Sequence, residues 1–229
     1  MSKYKFQTTK PQINRRHFLK KVSFTVSSMM ISGCIPQISK QDTITKQQTK
    51  PNFIFSIIDD LGYKDVGFMG ATFYETPNID NLARQGVIFT NAYTNAPNCA
   101  PTRAAIISGQ YTPRYGIYTV GSSERGKASL RKLIPISNKT TLDPNIITIA
   151  EALKPAGYTS ACIGKWHLGN KHPFLPQDQG FDTAFHRTRR SHFTPDGQYL
   201  TDRLTDEAVR FIQQNKNKPF FLYLAHYAV

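Results

Sequence analysis

Asn52-Phe53-Ile54-Phe55-Ser56-Ile57-Ile58-Asp59-Asp60-Leu61-Gly62 is the segment from which the fold is read. Phe53 to Ile58 is a nearly unbroken β-prone apolar run that stops at two carboxylates. Such a run predicts a strand covered on both faces, the habit of parallel sheets. Further along, Ile146, Ile149, Ala150 and Leu153 recur at helical spacing and end at Lys154-Pro155-Ala156-Gly157, after which Tyr158 to Ile163 reads as a strand. Leu204, Ala208, Phe211 and Ile212 repeat the helical stripe, closed by Asn215-Lys216-Asn217-Lys218-Pro219, and Phe220 to Ala225 is another buried strand. Strands and helices in alternation imply an α/β fold, a mainly parallel sheet with helices on both faces. Sites in such folds lie beyond the carboxyl ends of strands, which directs attention to residues 59–62, 164–169 and whatever follows 225.

The chain has 229 residues, 39% apolar and 19% charged, which excludes disorder, and no apolar run reaches the length of a membrane span. A net charge of +14 raises nucleic acid as a partner. Its distribution removes most of that support. Residues 1–34 hold Lys3, Lys5, Lys10, Arg15, Arg16, Lys20 and Lys21 without an acid, and from Pro51 onward only +5 remains. The N-terminus instead reads as an export signal: a cationic stretch around Arg15-Arg16, then the short apolar run Val22 to Gly33. Arg15-Arg16-His17-Phe18-Leu19-Lys20 resembles the twin-arginine signal. Ile31-Ser32-Gly33-Cys34 resembles the lipobox of bacterial lipoproteins, in which the Cys is acylated and holds the protein to a membrane. Residues 35–50, rich in Gln, Thr, Ser and Lys, read as a flexible tether. The expected organisation is thus 1–34 export signal, 35–50 tether and 51–229 folded domain, in an exported, periplasmic or cell-surface protein.

Polar clusters occupy the expected strand ends. Asp59-Asp60 suits a hard, oxygen-liganded cation, although a bare Asp pair also serves as a helix N-cap or turn. Gly164-Lys165-Trp166-His167-Leu168-Gly169 sets an ammonium and an imidazole close together, apt for an anionic oxygen and a proton transfer, or simply for a glycine-bounded turn. Cys99-Ala100-Pro101-Thr102-Arg103 precedes an apolar run, so Cys99 is expected at or just before a helix N-terminus, where anions are favoured. A buried inert Cys is the other reading.

Together these residues resemble the sulfatases of the alkaline phosphatase superfamily, over essentially all of residues 51–229. Cys-x-Pro-x-Arg alone is short; the weight lies in its company. Pro51-Asn52, Asp59-Asp60-Leu61-Gly62-Tyr63, Thr76-Pro77-Asn78-Ile79-Asp80, Cys99 to Arg103, Gly157-Tyr158 and Gly164 to Gly169 follow in the family's order and spacing. The resemblance implies a sulfuric ester hydrolase in which Cys99 is converted to formylglycine by a formylglycine-generating enzyme. The hydrated aldehyde attacks the ester sulfur with one hydroxyl, and the other collapses to release sulfate. It further implies a calcium ion held by Asp59, Asp60 and the modified Cys99, with Arg103 holding the hydrate, Lys165 the sulfate oxygens and His167 the diol. A sulfate ester is the implied substrate, and export with a surface anchor favours a sulfated glycan.

Cysteine counting is consistent: with Cys34 lipidated and Cys99 modified, only Cys162 remains, inside a predicted strand, and no disulfide forms within the chain. In the family the strand matched by Pro219 to Ala225 leads to a further catalytic His and, later, to more metal ligands. That His would fall just after Val229, and His226 is not its equivalent, so the chain is expected to be the N-terminal portion of a sulfatase. Two other classes stay open: a phosphoester or phosphonate hydrolase of the same superfamily, against which Cys99 argues, and a catalytically dead glycan-binding lipoprotein. For the latter, His186-Arg187-Thr188-Arg189-Arg190-Ser191-His192 would contact a polyanion, or be a solvated loop. The long basic stretch Thr119 to Thr140 is expected to border the substrate.

Overall fold

A computed structural model describes residues 50–186 and 192–227. The export signal at 1–34, nearly all of the tether and the basic run 187–191 lie outside the described residues.

Four strands, β1 (Phe53–Ile58), β2 (Thr159–Gly164), β3 (Thr183–Phe185) and β4 (Phe220–His226), form one sheet in the order β1-β4-β2-β3. All three pairings are parallel, with Ile58 opposite His226 and Gly164 opposite Ala225 at the carboxyl ends. Alternation along the central strands gives each face its own core. Phe221, Tyr223 and Ala225 of β4 and Cys162 of β2 pack with Ala100, Ala104 and Ile107 of α2 (Cys99–Ser108). Ala150 of α4 (Ile149–Leu153) joins them on this face. On the other face Phe220, Leu222, Ala161 and Ile163 meet Leu200, Leu204, Ala208 and Phe211 of α5 (Leu200–Asn215). Helices therefore cover both faces of β2 and β4, as the alternating pattern predicts.

β1 departs from its expected surroundings. Phe53, Ile54 and Phe55 are 44%, 55% and 41% exposed, so β1 is not a strand covered on both faces. Among the described residues it is an edge strand, paired only with β4. Phe53 stacks on Tyr158 and Phe55 on Tyr223, which lays this side along the α2 core. The α5 core takes no β1 residue among the described residues, and Ile54 stays open on that side.

α1 (Pro77–Gln85) lies between β1 and α2, and the single turn α3 (Thr112–Tyr115) follows α2. The Thr76 to Asp80 motif staples the turn at Gly67–Met69: Gly67 N–H donates to Thr76 Oγ1 at 2.8 Å and Phe68 N–H to Asp80 Oδ1 at 2.9 Å. α4 begins in a capping box, in which Thr148 and Glu151 each bind the other's backbone N–H, and it starts later than the Ile146 periodicity predicts.

Candidate active site

Because β1, β4 and β2 run parallel, their carboxyl ends share one edge of the sheet. Asp59 follows β1 and Lys165 follows β2, each held by a backbone bond to β4: Asp59 N–H to His226 O at 3.3 Å and Lys165 N–H to Ala225 O at 2.8 Å. The chain turns sharply at Gly164, where φ is +105° and a Cβ would lie 1.9 Å from the Ala225 carbonyl oxygen. Only glycine fits this close approach. Trp166 then anchors the following loop, 2% exposed, with its indole N–H donating to Phe174 O at 2.9 Å.

α2 brings the third charge. Arg103, 1% exposed, reaches from the helix to the strand ends. Its Nη2 donates to Asp59 Oδ1 at 2.9 Å, and its Nη1 donates to Lys165 O at 2.7 Å and to the Tyr223 hydroxyl at 3.3 Å. The Lys165 ammonium donates to Asp59 Oδ2. One carboxylate thus faces two cations in a buried setting. Cys99 is the first residue of α2, as expected, half-buried and one turn from Arg103 on the same helix face. Tyr115 and Thr102 fix this end of the helix through Tyr115 O–H to Pro101 O at 2.8 Å and Thr102 O–H to Ala96 O at 2.8 Å.

The electrostatics follow from this packing. Burial by itself would raise the Asp59 carboxyl, but hydrogen bonds and charge from Lys165 and Arg103 outweigh it and hold the carboxyl below its ordinary range. Burial pushes the Tyr223 phenol up to about 12, so it stays protonated beside the guanidinium. Burial likewise raises the Cys162 thiol far above its usual value, the mark of an inert core cysteine.

Asp60 and His167 are tied to this cluster by chain adjacency. Both adopt left-handed backbone, with φ of 63° and 64°, unusual for residues with a Cβ and concentrated at functional sites. Asp60 is exposed and His167 half-buried. Among the described residues no three His, Cys, Asp or Glu side chains are grouped as for a metal ion. The donors at the strand end are nevertheless hard carboxylate oxygens, fitting in kind for calcium, and each Asp59 oxygen, which accepts from one cation, keeps a further lone pair.

The structure joins Asp59, Arg103 and Lys165 directly and sets Cys99 beside them through α2. Tyr223 was not singled out in the sequence; its signal is the polar aromatic inside Phe220 to Ala225, on the face shared with α2. A separate apolar groove of about 610 Å³, lined by Val66, Met69, Ile79, Leu82, Val87 and Phe89 among others, contains none of these residues.

Comparison with known proteins identifies the family. The family model described as Sulfatase matches residues 51–228. The N-acetylgalactosamine-6-sulfatase of Mus musculus is 34% identical over 209 residues, covering 76% of this chain and 39% of that protein. A sulfatase of Formosa agariphila is 40% identical over 152 residues, covering 62% of this chain and 27% of the relative. The crystal structure of Ps i-CgsB in complex with k-i-k-neocarrahexaose aligns with a TM-score of 0.65 at 31% identity, over 78% of this chain and 45% of the other. A structure solved with its substrate D-glucosamine-2-N,6-O-disulfate aligns with a TM-score of 0.61 at 28% identity, over 78% and 34%. The chain thus spans less than half the length of each of these relatives.

Proposed function

The chain belongs to the sulfatase family, and from that premise we propose that it carries the formylglycine half-site of a sulfuric ester hydrolase acting on a sulfated glycan. The observation that supports this most is the buried Asp59–Arg103–Lys165 cluster, with Cys99 one helical turn from Arg103. Relatives whose names or ligands are sulfated sugars support the substrate class.

Formylglycine at Cys99 would supply a hydrated aldehyde as the nucleophile, and calcium held by Asp59 and Asp60 would supply charge for the sulfate oxygens. The remaining work falls to the chain's own side chains. Arg103 offers a rigid fork of donors at the base of the site and holds Asp59 ionised. Lys165 is a compact point charge on a flexible stem, whose ammonium can turn from Asp59 to an incoming sulfate oxygen. His167, held in a left-handed turn two residues on, is the group suited to move a proton at the nucleophile. Gly164 and Trp166 set where Lys165 and His167 emerge.

A twin-arginine route exports folded proteins, so Cys99 would be modified by a formylglycine-generating enzyme before export, and Cys34 would then hold the protein to the membrane. The decisive measurement is mass spectrometry of the Cys99 peptide from native material, with hydrazide labelling of the aldehyde. The expected result is an aldehyde that the Cys99→Ala variant lacks; an unmodified thiol overturns the catalytic reading. Calcium is tested by titration calorimetry against Asp60→Asn, which is expected to weaken binding at least about tenfold.

A further inference from the structure

The loop from Thr119 to Asn138 is built as a fixed feature beside Cys99. Asn98, the residue before Cys99, donates from Nδ2 to Thr119 Oγ1 at 3.1 Å, which pins the start of the loop to the start of α2. Asn138 clamps its neck: its Oδ1 accepts from the N–H groups of Tyr118 at 2.6 Å and Thr119 at 3.0 Å, and its Nδ2 donates to the Thr119 and Gly121 carbonyls. Within the loop one cation, Arg125, folds back toward that base. Arg125 Nη2 donates to Val120 O at 3.4 Å, one residue from Thr119. Arg131 ties down the backbone under it, through Nε to Arg125 O at 3.1 Å and Nη2 to Gly126 O at 3.3 Å, and pairs with Glu124 at 3.2 Å.

Arg131 thus spends its charge on Glu124, the loop's single acid, and leaves Arg125, Lys127 and Lys132 exposed. A loop held at both ends next to the nucleophile position, with the Arg125 guanidinium directed by the Val120 carbonyl, holds a cation in place for an anion. Solvated surface cations of a merely basic protein carry no such scaffold.

We propose that this loop is a second anion subsite, in which Arg125 and Lys127 bind a sulfate of the glycan other than the one cleaved. The inference rests on the sulfatase reading for the position of the scissile ester, but its own requirement is only that a polysulfated chain lies across the loop. The substrate class is therefore an oligosaccharide bearing several sulfates rather than a small aryl sulfate.

The test is binding, read without turnover, of the 229-residue protein to a fluorescently labelled oligosaccharide carrying several sulfates, by anisotropy at low salt. The same oligosaccharide after desulfation is the control ligand. The Arg125→Ala/Lys127→Ala double variant is expected to lose at least about fivefold in affinity for the sulfated ligand, and added salt to erase the difference. Lys216→Ala/Lys218→Ala removes the same charge near the opposite end of the sheet and is expected to bind as wild type does. Equal binding by the loop variant, equal loss in the distant variant, or equal binding of the desulfated ligand each overturns the proposal. An absent aldehyde at Cys99 would defeat the catalytic reading and leave these binding results standing. Both loop positions are exposed and outside the cores, and Arg125→Glu, expected to lose more than the alanine exchange, keeps the test open if the double variant fails to fold.

Discussion

Asp59 receives two cations at once, and its pairing determines how the site responds to acid. Removing its charge leaves Arg103, 1% exposed, and the Lys165 ammonium without a counterion, so Asp59→Asn is expected to cost about 3–5 kcal/mol near neutral pH. The folded carboxyl titrates below its unfolded value of about 3.9, so the stabilisation is complete above that pH and is lost as pH falls through the lowered folded value. Urea denaturation of wild type and variant should show a constant gap between about pH 5 and 7 that narrows below about pH 4. A gap that persists unchanged in strong acid contradicts the pairing. Gly164 makes a second residue-scale prediction. Alanine there would meet the Ala225 carbonyl in a left-handed conformation, so Gly164→Ala should destabilise by about 2–4 kcal/mol and disturb Lys165, its neighbour. These residues were legible in the sequence because each belongs to a short motif at a strand end. Tyr223 was not: a tyrosine inside an apolar strand reads as core, and only the fold shows that Arg103 donates to its hydroxyl.

At the scale of elements, legibility followed burial. β2, β4 and α5 were read from pattern because each has neighbours on the faces its pattern predicts. α1 and β3 were not anticipated. α1 buries no residue, and its apolar stripe of Ile79, Leu82 and Ala83 fills little more than one turn of a nine-residue helix, while β3 is three residues long, below the reach of any periodicity. The Phe53 to Ile58 run was recognised as a strand but given the wrong surroundings, since composition reports what a strand can be buried against and not what packs there. Caps were equally implicit. Thr148 is buried, accepts from Glu151 N–H at 3.2 Å and donates to Gln179 O at 2.7 Å, joining α4 to the turn before β3. Thr148→Ala should cost about 1–2 kcal/mol and Thr148→Ser most of an order less, measured by thermal unfolding. Equal losses in the two variants would place the effect in the methyl group and not in the cap.

The whole molecule places its polar site at one edge of the sheet and leaves much apolar surface uncovered nearby. Ile54 is 55% exposed on an edge strand, and Val87 and Phe89 are 79% and 77% exposed beside the apolar groove. Unpaired strand edges and contiguous apolar patches both favour association, the first through backbone hydrogen bonds and the second through loss of water-exposed area. The described residues therefore predict a protein that binds a hydrophobic dye in its native state and self-associates as concentration rises. Ile54 is the residue to change. It lies on the side of β1 that the α5 core does not reach, so a charge there meets water, whereas Phe53 and Phe55 stack on Tyr158 and Tyr223 and support the opposite core. Ile54→Lys is expected to leave stability within about 0.5 kcal/mol of wild type while reducing association, as a lysine does on natural edge strands. Sedimentation velocity across a concentration series, with dye fluorescence in parallel, makes the comparison. Wild type that stays monomeric throughout, or a lysine variant that associates as strongly, would show that β1's open edge is not the surface responsible.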